Sequence, residues 1–401
     1  MRGLNSNKNN VSARIINIAT LSVSIGVATI LIALSVSKGL QNEIENKTGI
    51  FNGHILVTLF ENNESKISLL PIKETPEIKE KFLNKSNVSR FHPVALKAGI
   101  LKNKFDFEGI LFKGVNSDFD STSLKSFFIR GHFPNLTKGL SKEILISETL
   151  SKKLSLDVGD KTDVFFQNDL KNGMPSVRRF TVSGIFLSGF PDIDENLIYG
   201  DIRHVQKINK WRKNQIGAYE VFVKNFDQLK DTNEKIYNDL PAEINSIAIT
   251  ERYPSIYKWI ALFDFNVLII LIIMILVGLI NMATALLVIV LERTKMVGLL
   301  KAIGFQNNTI RKIFLLNGIV ILGKGLFFGN IFGLGFYILQ KNFGLIKLDP
   351  ATYFVELAPV KITFFQIIFV NGLFLTISAF ILWIPLKIIL NINPSQALNT
   401  R

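Results

Sequence analysis

The stretch ERTKMVGLLKAIGFQNNTIRKIF, residues 292–314, decides the fold, because it is basic and amphipathic and lies between two long apolar runs. Four of its apolar residues recur with the i, i+3, i+4, i+7 spacing of one helix face: Met296, Leu299, Leu300 and Ile303. Gly304 can adopt the left-handed conformation that ends a helix, and Asn308 can cap the next one. Such a helix can dock into a groove of a partner protein or rest on anionic lipid, and the pattern supports both equally.

Four apolar runs in the chain are each long enough for a helix to cross a hydrocarbon core of roughly 30 Å. They comprise residues 15–36, 259–291, 313–339 and 362–389. The chain is therefore predicted to be an integral membrane protein with one transmembrane helix before a long polar region and three after it. The first run is longer than a signal-peptide core and is not followed by a small-x-small cleavage site, so we expect it to remain as an anchor.

The net charge of +14 would suggest a nucleic-acid partner if the protein were soluble. Basic and acidic residues are nearly balanced between residues 43 and 257, so the excess lies on the short flanks of the spans. Five basic residues lie in the loop after the second span: Arg293, Lys295, Lys301, Arg311 and Lys312. Because short basic loops stay in the cytoplasm, both termini are predicted inside and the polar region outside, with no nucleic acid as a partner.

These spans divide the chain into three predicted parts. Residues 1–38 form a cytoplasmic N-terminus and the first transmembrane helix, residues 39–257 form an extracytoplasmic domain, and residues 258–401 form a permease domain with three transmembrane helices. The absence of cysteine excludes disulfides, and the extracytoplasmic domain is large enough to fold on its own core.

The extracytoplasmic domain is predicted to have an α+β fold, because strand and helix patterns are interspersed along it. HILVTLF (54–60) and FTVSGIF (180–186) are β-rich, and SETLSKKLSL (147–156) is helical. The polar stretch QNDLKNGMPSVRR (167–179) separates two predicted strands, and its Asn, Gly and Pro residues suit a protruding hairpin. Composition alone favours the interpretation of this hairpin as a solvated turn.

The third span contains a partial nucleotide-binding motif and a glycine repeat. Residues 318–324 (GIVILGK) match the first seven positions of a P-loop, but Gly325 follows where a Ser or Thr is needed, so a nucleotide site is rejected. Gly325, Gly329 and Gly333 repeat the small-xxx-small spacing and predict close helix packing, within the bundle or at a dimer seam. For Lys324, a gating role and a structural role through snorkelling are equally supported.

No constellation of catalytic residues is present in the sequence. The four histidines are scattered, and neither HExxH nor GxSxG occurs. The acidic residues at positions 192, 194 and 195 are typical of a solvated turn. The chain is therefore predicted to have no catalytic residue, no metal site and no cofactor of its own.

Several motifs resemble those of a known family. LLKAIGF (299–305), preceded by basic residues, is similar to the coupling-helix signature of the FtsX/MacB-like permeases of the type VII ABC superfamily. Further motifs along nearly the whole chain resemble the lipoprotein-releasing permeases of the LolC/LolE type. These motifs are SVSIGVATILIALSVSKGLQ (22–41), RGHFP (130–134), EILIS (143–147), FTVSGIFLSGFPDIDENLIYGDI (180–202), LDPATYFVELAPV (348–360) and IPLKIILNINPSQALNTR (384–401).

The resemblance implies a MacB-like periplasmic domain, an FtsX-like permease domain and a transport subunit in the bacterial inner membrane. In that family a permease pair sits on two cytoplasmic ABC ATPase subunits, extracts lipoproteins from the membrane and passes them to a periplasmic carrier of the LolA type. The implied partners are thus an ATPase dimer, a second permease copy or paralogue, the carrier and lipoprotein substrates, with ATP and Mg²⁺ bound by the ATPase. An FtsX-like scaffold controlling a cell-wall hydrolase and a MacB-like efflux permease are the alternatives.

The resemblance also implies roles for individual residues. The residues expected to couple to the ATPase are Glu292, Arg293, Met296, Leu299, Leu300, Lys301, Ile303, Gly304 and Phe305. Those of the expected carrier-binding loop, where PSVRRF is similar to the family's PSxRxF, are Asn168, Gly173, Met174, Pro175 and Arg178. Faces of the first and second spans would hold lipid chains.

Overall fold

The computed structural model describes residues 11–60, 67–104, 106–137, 139–167 and 174–381. The chain divides into two compact units. Of the described residues, those within 1–42, 258–347 and 357–401 form the helical unit, and those within 43–257 and 348–356 form the sheet unit.

The described residues contain twelve α-helices. They are α1 (Val11–Asn52), α2 (Pro76–Leu83), α3 (Glu148–Leu154), α4 (Pro191–Asp194), α5 (Ile202–Ile208), α6 (Leu229–Asp239), α7 (Ile249–Arg252), α8 (Pro254–Glu292), α9 (Thr294–Ala302), α10 (Asn307–Phe343), α11 (Pro350–Tyr353) and α12 (Phe364–Ile381). Helices α1, α8 and α10 are long and apolar enough to cross a membrane. The predicted fourth span corresponds to α12, an 18-residue apolar helix, and residues 382–389 of that span lie outside the described part of the chain.

The sheet unit is built on twelve described strands. They are β1 (Ile55–Leu59), β2 (Ile72–Lys73), β3 (Val88–Lys102), β4 (Phe107–Val115), β5 (Phe128–Gly131), β6 (Glu143–Ser147), β7 (Lys161–Phe166), β8 (Ser176–Phe186), β9 (Leu197–Asp201), β10 (Gln215–Ile216), β11 (Ala218–Val223) and β12 (Ile244–Ala248). Ten of them form one mixed sheet in the order β12-β1-β11-β3-β4-β9-β6-β8-β5, with β7 paired to β3 and β8. Strands β2 and β10 form a separate pair. The predicted α+β fold is confirmed.

Local sequence explains where helix and strand alternate in this unit. At Ser147 strand β6 passes directly into α3, because the serine hydroxyl accepts a hydrogen bond from the Leu150 amide and caps the helix. The helix ends at Ser155, which adopts a left-handed conformation. Behind these elements, the buried rings of Phe112, Phe166 and Phe180 pack together in the core of the unit.

Candidate functional site

Helix α9 is the structural counterpart of the predicted docking helix. It follows α8 after a break at Arg293, and the Phe305 amide donates to the Leu300 carbonyl at its end. Gly304 has a positive φ of 92°, as expected for the residue that ends the helix. The predicted cap of the following helix is wrong: Gln306 precedes α10, and the Asn308 side chain lies in its first turn, where it accepts from Arg311.

The apolar residues of α9 divide between two faces. Met296, Leu299 and Ile303 are exposed, with Ile303 at 67%. Leu300 is half-buried and packs against the core of the helical unit, so its predicted place on the same exposed ridge is wrong. The helix carries more apolar residues than one narrow stripe can hold, and it also buries Val297. The docking ridge is therefore narrower than the sequence pattern indicates.

Exposure extends to most of the other residues expected to couple to the ATPase. Glu292 and Arg293 are exposed before α9, and Phe305 is exposed after it. Lys301 is half-buried on the helix itself. The helical unit thus presents an exposed ridge of apolar side chains next to charged residues. Such a surface suits both docking on a protein partner and contact with anionic lipid.

The second candidate surface is the β7–β8 hairpin. Its strands pair antiparallel up to Phe166 and Ser176, which confirms the predicted hairpin. The predicted loop, residues 167–179, is too long, because residues 176–179 belong to β8. Met174 is 72% exposed beside the tip, and Arg178 is half-buried, with its guanidinium donating to the Val177 carbonyl. Of the other residues expected in the carrier-binding loop, Pro175 is exposed, and Asn168 and Gly173 lie outside the described residues.

An open cavity of about 630 Å³ lies beside this hairpin. It is lined by Ala98, Gly99, Ile100, Lys102, Phe107, Phe165, Gln167 and Pro175. The sequence pattern does not predict this cavity. In the structure, the side chains of Phe107 (70% exposed) and Ile100 are unusually exposed for apolar residues of a sheet. Two of the lining residues, Gln167 and Pro175, flank the part of the hairpin that lies outside the described residues.

Close packing of α1 on α10 organises the helical unit. Gly325, Gly329 and Gly333 are buried against α1, and a Cβ atom added at Gly329 would lie 2.7 Å from the Val27 Cβ. The Ser24 hydroxyl donates to the Gly325 carbonyl at 3.0 Å. These contacts occur within a single copy of the chain.

Both α1 and α8 also present apolar side chains outwards. Examples are Ile18, Leu21 and Ile25 on α1, and Leu268, Ile272 and Ile280 on α8. The Asn281 amide of α8 donates to the Ser22 hydroxyl of α1 at 2.8 Å, which joins the two helices between these surfaces. Lys324 of α10 is exposed too, rather than turned into the bundle.

A buried ion pair fixes the end of α1 within the sheet unit. The Lys113 ammonium lies 2.6 Å from the Glu220 carboxylate and donates to the Phe51 carbonyl at 2.8 Å. Burial lowers the pKa of Lys113, and the carboxylate beside it opposes that shift. The ammonium group can thus donate both to the Glu220 carboxylate and to a carbonyl in the last turn of α1, which has no partner within the helix.

The segment after α10 adds a further attachment within the sheet unit. Phe354 has a positive φ of 59°, its ring stacks on Phe190 with centroids 4.7 Å apart, and its carbonyl accepts from Lys47. A bulky residue in this conformation is strained, so the surrounding contacts must hold it. No group of three potential metal-binding side chains occurs in the described part of the chain.

Comparison with known proteins gives this geometry a family context. The model of the MacB-like periplasmic core domain matches residues 18–236, and that of the FtsX-like permease C-terminal domain matches residues 268–394. The lipoprotein-releasing system transmembrane protein LolC of Buchnera aphidicola subsp. Schizaphis graminum is 25% identical, over 96% of this chain and 93% of its own length. LolE of Haemophilus influenzae is 18% identical, over 98% of this chain and 96% of its own.

Among solved structures, the periplasmic region of MacB from Actinobacillus actinomycetemcomitans is similar to part of the chain. The match covers 55% of this chain and 98% of that structure, with 13% identity and a TM-score of 0.36.

Proposed function

Because this chain belongs to the FtsX/MacB-like permeases of the LolC/LolE type, we propose that it extracts lipoproteins from the inner membrane and passes them to a periplasmic carrier. The observation that carries this proposal is the match to lipoprotein-releasing system proteins along more than 90% of both chains. In this proposal both termini are cytoplasmic and the sheet unit is periplasmic.

Energetics support the need for an external ATPase in this proposal. Removing acyl chains from a bilayer costs about 0.8 kcal/mol for each methylene exposed, so release cannot proceed by thermal motion alone. ATP hydrolysis in two partner subunits supplies this energy, and the exposed ridge of α9 transmits it. The outward apolar faces of α1 and α8 offer the acyl chains a surface to leave the bilayer.

The direct test is release from proteoliposomes. The purified chain is reconstituted with its ATPase and, where the permease is a heterodimer, its paralogue, and a radiolabelled triacylated lipoprotein is added. We expect the label to move to a soluble carrier only when ATP and the carrier are both present. ATP hydrolysis without release would reject lipoprotein extraction and favour the scaffold or efflux alternatives.

The docking role of α9 is tested by substitution on its exposed ridge. Leu299→Asp and Ile303→Asp each place a charge where burial of an apolar side chain contributes about 1.5–3 kcal/mol, so ATPase affinity should fall at least tenfold. Leu299→Met and Gln306→Glu are matched controls, since one keeps the apolar contact and the other adds charge off the ridge. Co-purification of the Asp variants with the ATPase at wild-type level would reject the docking assignment.

The hairpin is assigned to the carrier. Replacing residues 167–175 by a two-residue Asn-Gly turn keeps the β7–β8 pairing and removes the tip. Transfer to the carrier should be lost, while ATP hydrolysis without carrier stays unchanged. A variant that transfers lipoprotein at the wild-type rate would show that the hairpin is only a solvated turn.

A further inference from the structure

The sheet unit contains a second cavity that shares no lining residue with the one beside the hairpin. Its volume is about 490 Å³, within the range of ligand-binding pockets in proteins. The apolar part of its wall is formed by buried Pro93, Leu136 and Ile216 and by half-buried Trp211. Ser117 and Thr137 are exposed at its edge. The cavity therefore combines an apolar floor with a polar mouth.

Internal pairs neutralise three of the five charged side chains that line this cavity. The buried Asp201 carboxylate accepts from the Arg203 guanidinium, with the Nε 2.8 Å from Oδ1. Glu74 lies 2.6 Å from Lys79. The other two are lysines at positions 207 and 213, and neither forms an ion pair with any described residue. The lining thus includes two exposed lysines without an ionic partner among the described residues, and the Trp211 indole.

Hydrogen bonds connect the backbone segments that carry the two lysines. Lys207 lies on α5, and the Gln206 side chain next to it donates to the Lys213 carbonyl at 3.2 Å and to the Gln215 carbonyl at 2.8 Å. The Trp211 amide donates to the Gln206 carbonyl at 2.7 Å. The loop that carries Trp211 and Lys213 is therefore fastened to α5. Because these segments are already held together, less entropy is lost when a ligand binds.

Hydrogen bonds also fix Asp201 and Arg203 in the cavity wall. The Asp201 carboxylate accepts from the Ser141 amide at 2.9 Å and from the Arg203 amide at 2.9 Å, which caps α5. The Arg203 guanidinium also donates to the Leu136 carbonyl. These bonds give Asp201 and Arg203 a structural role. The side chains of the two lysines form no bond of this kind with a described residue.

We propose that this cavity binds a short acidic peptide segment in an extended conformation. Its carboxylates lie at Lys207 and Lys213, an apolar side chain covers Trp211, and its amide groups meet the polar mouth at Ser117 and Thr137. Charge complementarity selects an acidic ligand, and the apolar floor beside the charges selects one that also carries an apolar side chain. The binding is independent of ATP and of lipoprotein release.

Peptide binding to the full-length chain in detergent micelles tests this proposal. The probe is the peptide Gly-Asp-Leu-Glu-Asp-Gly with a net-neutral rhodamine dye, measured by fluorescence anisotropy, and its uncharged isostere Gly-Asn-Leu-Gln-Asn-Gly is the reference. The acidic peptide should bind at least tenfold more tightly, and this preference should shrink as salt is raised.

Two sets of variants separate the cavity from general electrostatics. The double variant Lys207→Gln with Lys213→Gln should bind the acidic peptide at least tenfold more weakly. Trp211→Leu should bind both peptides more weakly. Lys161→Gln with Lys230→Gln removes the same net charge from exposed lysines that do not line the cavity, and it should leave the affinity unchanged.

Three results would overturn the proposal: equal affinity for the acidic and uncharged peptides, an equal loss in the control double variant, or free glutamate competing as strongly as the peptide. The last result would identify a small-anion site instead. None of these results bears on lipoprotein release, so the proposed transport function stands or falls separately.

Discussion

Gly329 is the position where one methyl group should have the clearest effect. An added Cβ would lie 2.7 Å from the Val27 Cβ and 2.9 Å from the Ser24 carbonyl oxygen, whereas ordinary contacts begin at 3.4 Å. Helices α1 and α10 would have to separate by several tenths of an ångström. Overpacking of this kind costs about 1–3 kcal/mol. A gain of up to about 1 kcal/mol from replacing glycine by alanine in a helix offsets part of that cost.

The same helix provides the matched control. A Cβ at Gly335 would meet no atom within 4 Å, so Gly335→Ala keeps the propensity gain without the overpacking. Reversible unfolding of the purified chain by SDS in mixed micelles measures both variants. We expect Gly329→Ala to be less stable than Gly335→Ala by about 1–3 kcal/mol. Equal unfolding free energies would show that α1 and α10 do not pack through these glycines.

Two further predictions concern the sheet unit. Lys113→Met leaves the Glu220 carboxylate buried and unpaired, which should lower the unfolding free energy by about 3–5 kcal/mol. Adding Glu220→Leu should restore much of that stability. Denaturant titration of both variants checks this, and an equal loss of stability in both would contradict it. Burial lowers the pKa of His54 and His92 from 6.5 to about 4, so the unfolded chain binds protons that the folded chain does not, and stability should fall as pH drops from 6.5 towards 4. His92→Phe keeps the ring contacts and should flatten that slope, which unfolding midpoints measured across this pH range will show.

Local signals were sufficient to predict much of the sheet unit. The β-rich run at 180–186 falls within β8, and the stretch 147–156 begins with a serine that caps α3. The hairpin followed from Asn, Gly and Pro between two strands. Each of these features depends on residues that are neighbours in the sequence, which is why pattern analysis finds them.

Features that depend on distant residues were missed. Lys113 and Glu220 lie on strands far apart in the chain, and neither has a local pattern that distinguishes it from an exposed charge. The stacking of Phe190 on Phe354 joins residues from the two separate segments of the sheet unit. Periodicity predicts which face of an element is apolar but not which distant residue covers it.

The docking helix shows the same limit on a smaller scale. Spacing placed Leu299, Leu300 and Ile303 on one face, because all three fall within the arc that an apolar stripe occupies. The structure turns Leu300 towards the core of the helical unit and leaves the other two exposed. Which of these residues is buried depends on what packs beside α9. The sequence therefore predicts the helix and its exposed ridge, but not which residue marks the inner edge of that ridge.

Three residues near the ends of the two chain segments of the sheet unit each make a specific contact. Phe51 at the end of α1 accepts from Lys113, Tyr257 near the start of α8 stacks on Phe226, and Phe354 stacks on Phe190. Helices α1 and α8 continue without a break across the division between the units. We expect Phe354→Gly, which removes the ring stacked on Phe190 and relieves the strained φ at that position, to slow transfer to the carrier while basal ATP hydrolysis persists.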